Sequence, residues 1–190
     1  MSGMNRCLRF ALAISALLIA AAPFSEARSP APVANVRLEH QAEEYIARLI
    51  DEQRARFAPD APEFQANGEL DRIARERSRY MAHGGPFAHE DAEGRPVAAD
   101  MMKLRVSPYG YFGENIMMER WEGIPFDAYR FAQQAVDGWM ASEGHRANIL
   151  SSNYDRSGIG VVINGNSAYA TQVFFGPQRE APRPAPRRRR

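Results

Sequence analysis

The sequence predicts an α+β fold, a three-layer α-β-α sandwich with a small antiparallel sheet, on three observations. Apolar residues recur at 3.6-residue spacing in three separate stretches, the mark of amphipathic helices. Towards the C-terminus the period changes to β-branched and aromatic runs, "GIGVVI" and "AYATQVFF", joined by "NGNS". The single cysteine, Cys7, precedes the first of these elements, so the remainder is held by packing and not by disulfides. About 148 residues separate Arg28 and Phe175, the size of one domain.

At the N-terminus, Arg6 and Arg9 precede an apolar run from Phe10 to Ala22 and the small-residue pattern Ser25-Glu26-Ala27. Residues 1–27 are therefore expected to be a secretory signal peptide, its run too short for the roughly 20 residues of a membrane-spanning helix. That expectation places the protein outside the cytoplasm, periplasmic or secreted. Residues 28–35 follow as a Pro/Ala-rich linker.

The first helical stripe runs through Leu38, Ala42, Tyr45, Ile46, Leu49, Ile50 and Phe57, and Pro59 and Pro62 break it. The second runs through Leu70, Ile73, Ala74, Ser78 and Met81 until Gly84-Gly85-Pro86, delivering "PFAHED" to a loop. A short helical stretch is expected around Val97 to Val106, closed by Pro108 and Gly110. Ile116, Met117 and Met118 form an apolar run too brief for a helix and are expected as a buried strand beside the C-terminal hairpin. Pro125 is expected to open the third helix, with Ala128, Phe131, Ala132, Ala135, Val136 and Trp139 on one face. Asn164-Gly165 supplies the positive φ angles of a tight hairpin. Residues 176–190, Pro/Arg-rich and poor in apolar groups, are expected to be a disordered basic tail.

Net charge is +1, but it is unevenly spread. From Pro177 onward there are six arginines against one glutamate, whereas residues 28–176 hold 16 basic and 21 acidic side chains. The tail suits an anionic envelope surface, and the acidic body argues against nucleic acid as a partner.

Four histidines are available for chemistry. His40 stands among Glu39, Gln41 and Glu43 on a solvated face, and His83 stands at a helix C-terminus, where it suits capping. His89 and His145 each follow a structure-breaking proline or glycine closely and lie among polar groups, a setting for proton transfer or metal ligation. Glu114 directly precedes an apolar strand and needs a partner there, a histidine, a backbone N–H cluster or an arginine. Short metal motifs are absent, and with neither G-x-S-x-G nor a cysteine after Cys7 there is no signature of a covalent nucleophile. Around His145, Ser142 is expected to cap a short helix through its hydroxyl, with Glu143 in the first turn and Ile149 and Leu150 in the core. On a continuous helix Glu143 and His145 would point about 200° apart, so they share a ligand only if Gly144 breaks the helix.

The blocks "NGELDRIARERSRYMA", "PFAHED", "GENIMM", "AVDGWMASEGHRANIL", "SGIGVVI" and "YATQVFF" resemble, in this order, bacterial members of the CAP superfamily, the SCP-like extracellular domain. The resemblance spans residues 36–175. It implies an α-β-α sandwich and a concave cleft where two histidines and two glutamates converge and, in some members, hold a divalent metal such as zinc. By position, His89, Glu114 and His145 match three of these four. At the fourth, eukaryotic relatives carry a glutamate where this sequence has Ser142, with Glu143 one residue later, which implies either a tetrad completed by Glu143 or a three-residue site. His89, Glu114 and His145 are the candidate metal ligands.

Three functions fit this reading. One is a binding module that takes a small ligand or peptide in the cleft while the tail holds an anionic surface. A second is a metal-assisted, peptidase-like hydrolase of the envelope, with Glu114 as general base. A third, implied only by the family, is lipid or sterol binding along a groove lined by Met101, Met102, Met117 and Met118.

Overall fold

The computed structural model of the protein describes residues 32–96 and 110–177. The expected signal peptide, the stretch around Val97 to Val106 with Met101 and Met102, and the arginine-rich segment from 178 lie outside the described residues. Helix α1 spans Pro32–Phe57, the short strand β1 Gln65–Ala66, helix α2 Gly68–Ala82 and strand β2 Gly110–Arg120. Helices α3 (Ala128–Ala141) and α4 (Glu143–Leu150) and strands β3 (Arg156–Asn164) and β4 (Ser167–Pro177) complete the order.

The helices lie where the apolar periodicity puts them, and their ends are set by polar chemistry. Asn67 opens α2, its Oδ1 accepting from the backbone N–H groups of Glu69 (3.1 Å) and Leu70 (3.2 Å). His83 closes it, its Nδ1–H donating to the Arg79 carbonyl at 2.8 Å. Two expected boundaries shift. The third helix starts at Ala128 because Asp127 caps it through the Arg130 N–H (2.9 Å), not at Pro125. The segment taken as a linker up to residue 35 loses its last four residues to α1, which begins on Pro32, a residue that forfeits no intrahelical bond at that position.

Strand order is β1-β3-β4-β2. β4 pairs antiparallel with β2 and β3, and the β3–β4 hairpin turns through Gly165 (φ 61°). β2 reaches eleven residues, well beyond its apolar run, because it pairs with β4 from Gly110 to Arg120. β1 adds two residues parallel to β3, so the sheet is mixed where a purely antiparallel one was expected. Alternate β4 residues face opposite layers: Ala168, Ala170 and Phe174 pack with α1, α3 and α4, whereas Val173 and Phe175 pack with Leu70, Ile73 and Ala74 of α2. This is the three-layer α-β-α sandwich.

On the α2 side the helix lies directly on the backbone of β3. A Cβ at Gly158 would collide with main-chain atoms of Leu70 and Asp71, and one at Gly160 with those of Ala74 and Arg75. The glycines of "SGIGVVI" thus set the spacing between helix and sheet.

Both edges of the sheet are closed by side chains. Beyond the two residues covered by β1, the outward N–H groups of Ile159, Val161 and Ile163 donate to Asp71 (3.0 Å), Glu43 (3.0 Å) and Glu39 (2.8 Å). On β2 the outward carbonyls of Phe112, Glu114 and Ile116 accept from Tyr154 OH (2.9 Å), Asn148 Nδ2 (3.3 Å) and Trp139 Nε1 (3.0 Å). One edge receives acceptors and the other donors, so groups that would otherwise recruit a further strand are occupied.

Gly160→Ala should therefore cost about 1–3 kcal/mol or more of stability through overpacking. Gly138→Ala, on α3 with nothing within 4 Å of the added Cβ, should be neutral or slightly stabilising. Urea unfolding of both variants checks this, and equal effects would remove the spacing role.

Candidate functional site

The β2 edge carries a cleft of about 450 Å³ whose wall includes His89, Phe112, Glu114, Ser142, His145 and Asn148. Three separate elements supply its polar groups: the loop after α2, strand β2 and helix α4.

Glu114 is 7% exposed, and both of its carboxylate oxygens are engaged. Oε1 accepts from Arg77 Nε at 3.0 Å and Oε2 from His89 Nδ1–H at 2.9 Å. Arg77, itself 5% exposed, also donates through Nη2 to the Ala88 carbonyl at 2.8 Å. One buried guanidinium thereby fixes the carboxylate and the backbone next to His89. The charge that the sequence left in need of a partner has two, the arginine and the histidine. Arg77 itself was missed. The signal was present, since Leu70, Ile73, Ala74, Arg77, Ser78 and Met81 form one stripe at helical spacing, and a charge on a buried stripe implies a buried partner.

His145 comes from the other side. Helix α3 ends at Ser142, whose extended ψ of 124° breaks the helical path, and α4 begins at the next residue. Helix α4 is tied to β2 by amides: Asn148 Nδ2 donates to Asn115 Oδ1 (2.9 Å) and to the Glu114 carbonyl, and Asn115 Nδ2 donates to the His145 carbonyl (3.2 Å). Gly113 admits this arrangement, because a Cβ there would stand 2.8 Å from Tyr154 OH and 3.0 Å from Asn148 Oδ1. At the far end of α4, buried Arg54 donates to the carbonyls of Ile149 and Ser151.

The result sets the imidazole rings of His89 and His145 with centroids 5.9 Å apart, inclined by 62°. Their proton affinities diverge. The hydrogen bond to Glu114 raises that of His89 above the ordinary histidine value, against opposing burial. Burial lowers that of His145, and the nearby His89 charge lowers it further. Of the two rings, His89 is thus the more readily protonated.

The other sequence candidates separate clearly. Ser142 lines the cleft, but its hydroxyl makes no capping bond to α4. The expected side-chain cap is absent, and the Arg146 N–H bonds the Ser142 carbonyl at 2.8 Å instead. Glu143 is not part of the cleft wall. The break falls at Ser142 and not at Gly144, so Glu143 and His145 share one regular helix and diverge by about 200°. His40 is exposed on α1. Met117 packs against the core while Met118, the next strand residue, is 42% exposed, so they face opposite sides of the sheet and share no groove.

For a metal, His89 and His145 offer imidazole nitrogens, but Glu114 spends both oxygens inside the protein. Among the described residues no group of three or more histidine, cysteine or carboxylate side chains is arranged to hold an ion. The donor set does not fit a resident centre with three protein ligands.

Residues 53–175 match the family described as CAP, the cysteine-rich secretory protein family. A Bacillus subtilis (strain 168) protein named uncharacterized protein YkwD is 34% identical over 113 residues, covering 59% of this chain. The matched region spans only 39% of that relative's length. Among solved structures, an extracellular protein containing an SCP domain from Bacillus anthracis superposes with a TM-score of 0.61 at 23% identity, over 77% of this chain and 44% of that one. An outer surface protein of Borrelia burgdorferi gives 0.59 at 14% identity, over 73% of this chain and 94% of that one. These structures share the fold.

Because Arg77 and Glu114 are both buried, Arg77→Met alone should destabilise the protein by about 3–5 kcal/mol by stranding the carboxylate. Adding Glu114→Leu should restore most of that loss. Chemical denaturation of the two variants measures the coupling, and additive losses would show that the pair is not a unit.

Proposed function

The chain belongs to the CAP family, and from that membership and its cleft we propose that it is an extracytoplasmic binding module that takes an anionic group of a small ligand or peptide between His89 and His145. The observation that carries this reading is the Arg77–Glu114–His89 relay. It pins Nδ1 of His89 and raises the ring's proton affinity, which favours positive charge at one wall of the cleft. A carboxylate meeting that wall gains a charge-assisted hydrogen bond. Neutral His145 and the Ser142 hydroxyl provide adaptable donors and acceptors opposite, and Phe112 an apolar surface. The basic leader and apolar run at the N-terminus support export, as do the extracellular and outer-surface descriptions of the structural relatives. No described helix is long and apolar enough to cross a membrane. The arginine-rich C-terminus, by its charge, supports attraction to an anionic envelope surface.

A second reading has one observation in its favour. Two titratable rings with proton affinities pushed apart form an acid and base pair, His89 as proton donor and His145 as acceptor, as a peptidase-like hydrolysis needs. No step of it is assigned to a metal.

Calorimetry with N-acetylated dipeptides, as free acids and as amides, separates these readings. Binding should favour the acids. It should weaken as pH rises above 6.5 and His89 loses its proton, the carboxylate staying ionised throughout because its own value is about 3.5. His89→Ala should abolish the preference. Equal affinity for acids and amides across that range would refute the binding reading. Dipeptide cleavage that survives a chelator and disappears in His145→Ala would install the hydrolase in its place.

A further inference from the structure

At the opposite edge of the sheet from the histidine cleft, a second cavity of about 380 Å³ opens between α1, β1, α2 and β3. The two cavities share no lining residue. Four carboxylates, Glu43, Glu44, Asp51 and Asp71, face a single guanidinium, Arg75, and His40 stands at the rim. Arg75 is already committed, since its Nε and Nη2 donate to the two oxygens of Glu43 at 2.8 and 2.6 Å. Glu43 also accepts the Val161 N–H, and Asp71 accepts the Ile159 N–H through one oxygen. Partial burial raises Asp51 and Asp71 from the ordinary aspartate value, with smaller opposing contributions from Arg54 at Asp51 and from the Ile159 N–H and Arg75 at Asp71.

A separate observation concerns the cavity's inner wall. Gln172 belongs to that lining and is 0% exposed. Its Nε2 donates to Ser157 Oγ at 2.9 Å, but its Oε1 has no hydrogen-bond partner. A buried amide oxygen without a donor is costly, and native interiors nearly always supply one. The buried inner wall of the cavity therefore presents an unsatisfied acceptor, and its carboxylates add further acceptor capacity. Its remaining wall, with Ala47, Ile50 and Ile159, is apolar.

We propose that this cavity is a binding site for an arginine side chain. A guanidinium carries only donors, five of them in a planar fork, and is weakly enough hydrated to enter a half-buried site. Its alkyl stem matches the apolar wall. The same chemistry has two sources. One is an arginine of another peptide. The other is the chain's own C-terminal segment, six arginines long in charge, which follows directly on β4. Near that strand's end Phe175 pairs with Arg156, whose neighbour Ser157 lines the cavity, so the segment begins within a few residues of the site.

The test is an NMR titration with N-acetyl-argininamide, using N-acetyl-glutaminamide as the neutral control. It is run on the full chain and on a full-length variant with all six C-terminal arginines, at 179, 183 and 187–190, changed to glutamine. The arginine probe should shift the amide signals of Ala66, Ser157 and Ile159 and the side-chain amide of Gln172, and the control should not. Glu44→Gln combined with Asp51→Asn, both at the exposed rim and outside the edge-capping set, should weaken binding about ten-fold while leaving the spectrum of the fold intact. If the probe binds only after the tail is neutralised, the chain's own arginines fill the site. If it binds both chains alike, the arginine comes from a partner. Shifts by neither chain, equal shifts with the neutral control, or binding indifferent to the double substitution would overturn the proposal.

Discussion

The closure of the sheet's two edges is the constraint on which the rest of the structure depends. A four-stranded sheet in a chain with one cysteine, and that before the fold begins, has no cross-links and must still prevent its outer strands from pairing elsewhere. Here the helices do so with complementary chemistry. Glu39 and Glu43, one turn apart on α1, serve N–H groups two residues apart on β3. The four-residue step from Glu39 to Glu43 rises about 6 Å along the helix, slightly less than the roughly 6.6–6.8 Å between those groups, and the flexible glutamate stems absorb the difference. At the other edge Trp139, Asn148 and Tyr154 donate to β2 carbonyls. These bonds have direction, which hydrophobic contact lacks, and so they fix how far each helix sits along its strand.

The cleft is a consequence of that second closure. Asn148 cannot serve the Glu114 carbonyl without bringing α4, and with it His145, to the level of Glu114 on β2. Arg77 does the equivalent work from the α2 side, tying the Glu114 carboxylate to the loop that carries His89. Both arms meet at one residue of one strand, whose carboxylate and carbonyl point to different partners. A buried ion pair of this kind contributes little net cohesion, since apolar groups of similar volume often fill such a space at small cost. Its effect is to set the proton affinity and ring orientation of His89, a property that packing could not supply.

Periodicity made the skeleton legible. The stripes from Leu38, Leu70 and Ala128, the hairpin at Asn164-Gly165 and the strand after "GEN" all appear where the apolar pattern places them. What escaped were polar residues on apolar faces. Arg77, Glu43 and Arg54 fall on the buried stripes of α1 and α2, and a periodicity argument that collects only apolar residues passes over them. The helix junction near His145 falls at Ser142, where the sequence places the start of a short helix, but it is the extended backbone of Ser142 and not its hydroxyl that makes the break. The length of β2 was invisible for a different reason. It comes from pairing with β4 and leaves no mark in β2's own composition.

The docking of α4 on the β2 edge creates the difference between the two imidazoles. The direct measurement is the NMR titration of the His89 and His145 ring protons in the parent chain and in Asn148→Ala. In the parent, His89 should titrate above the ordinary value of 6.5 and His145 below it. In the variant the fold should persist, but His145, freed from its position beside His89, should return towards that ordinary value and the separation should narrow. Two rings that titrate together in the parent, or a separation unchanged by the loss of Asn148, would contradict it.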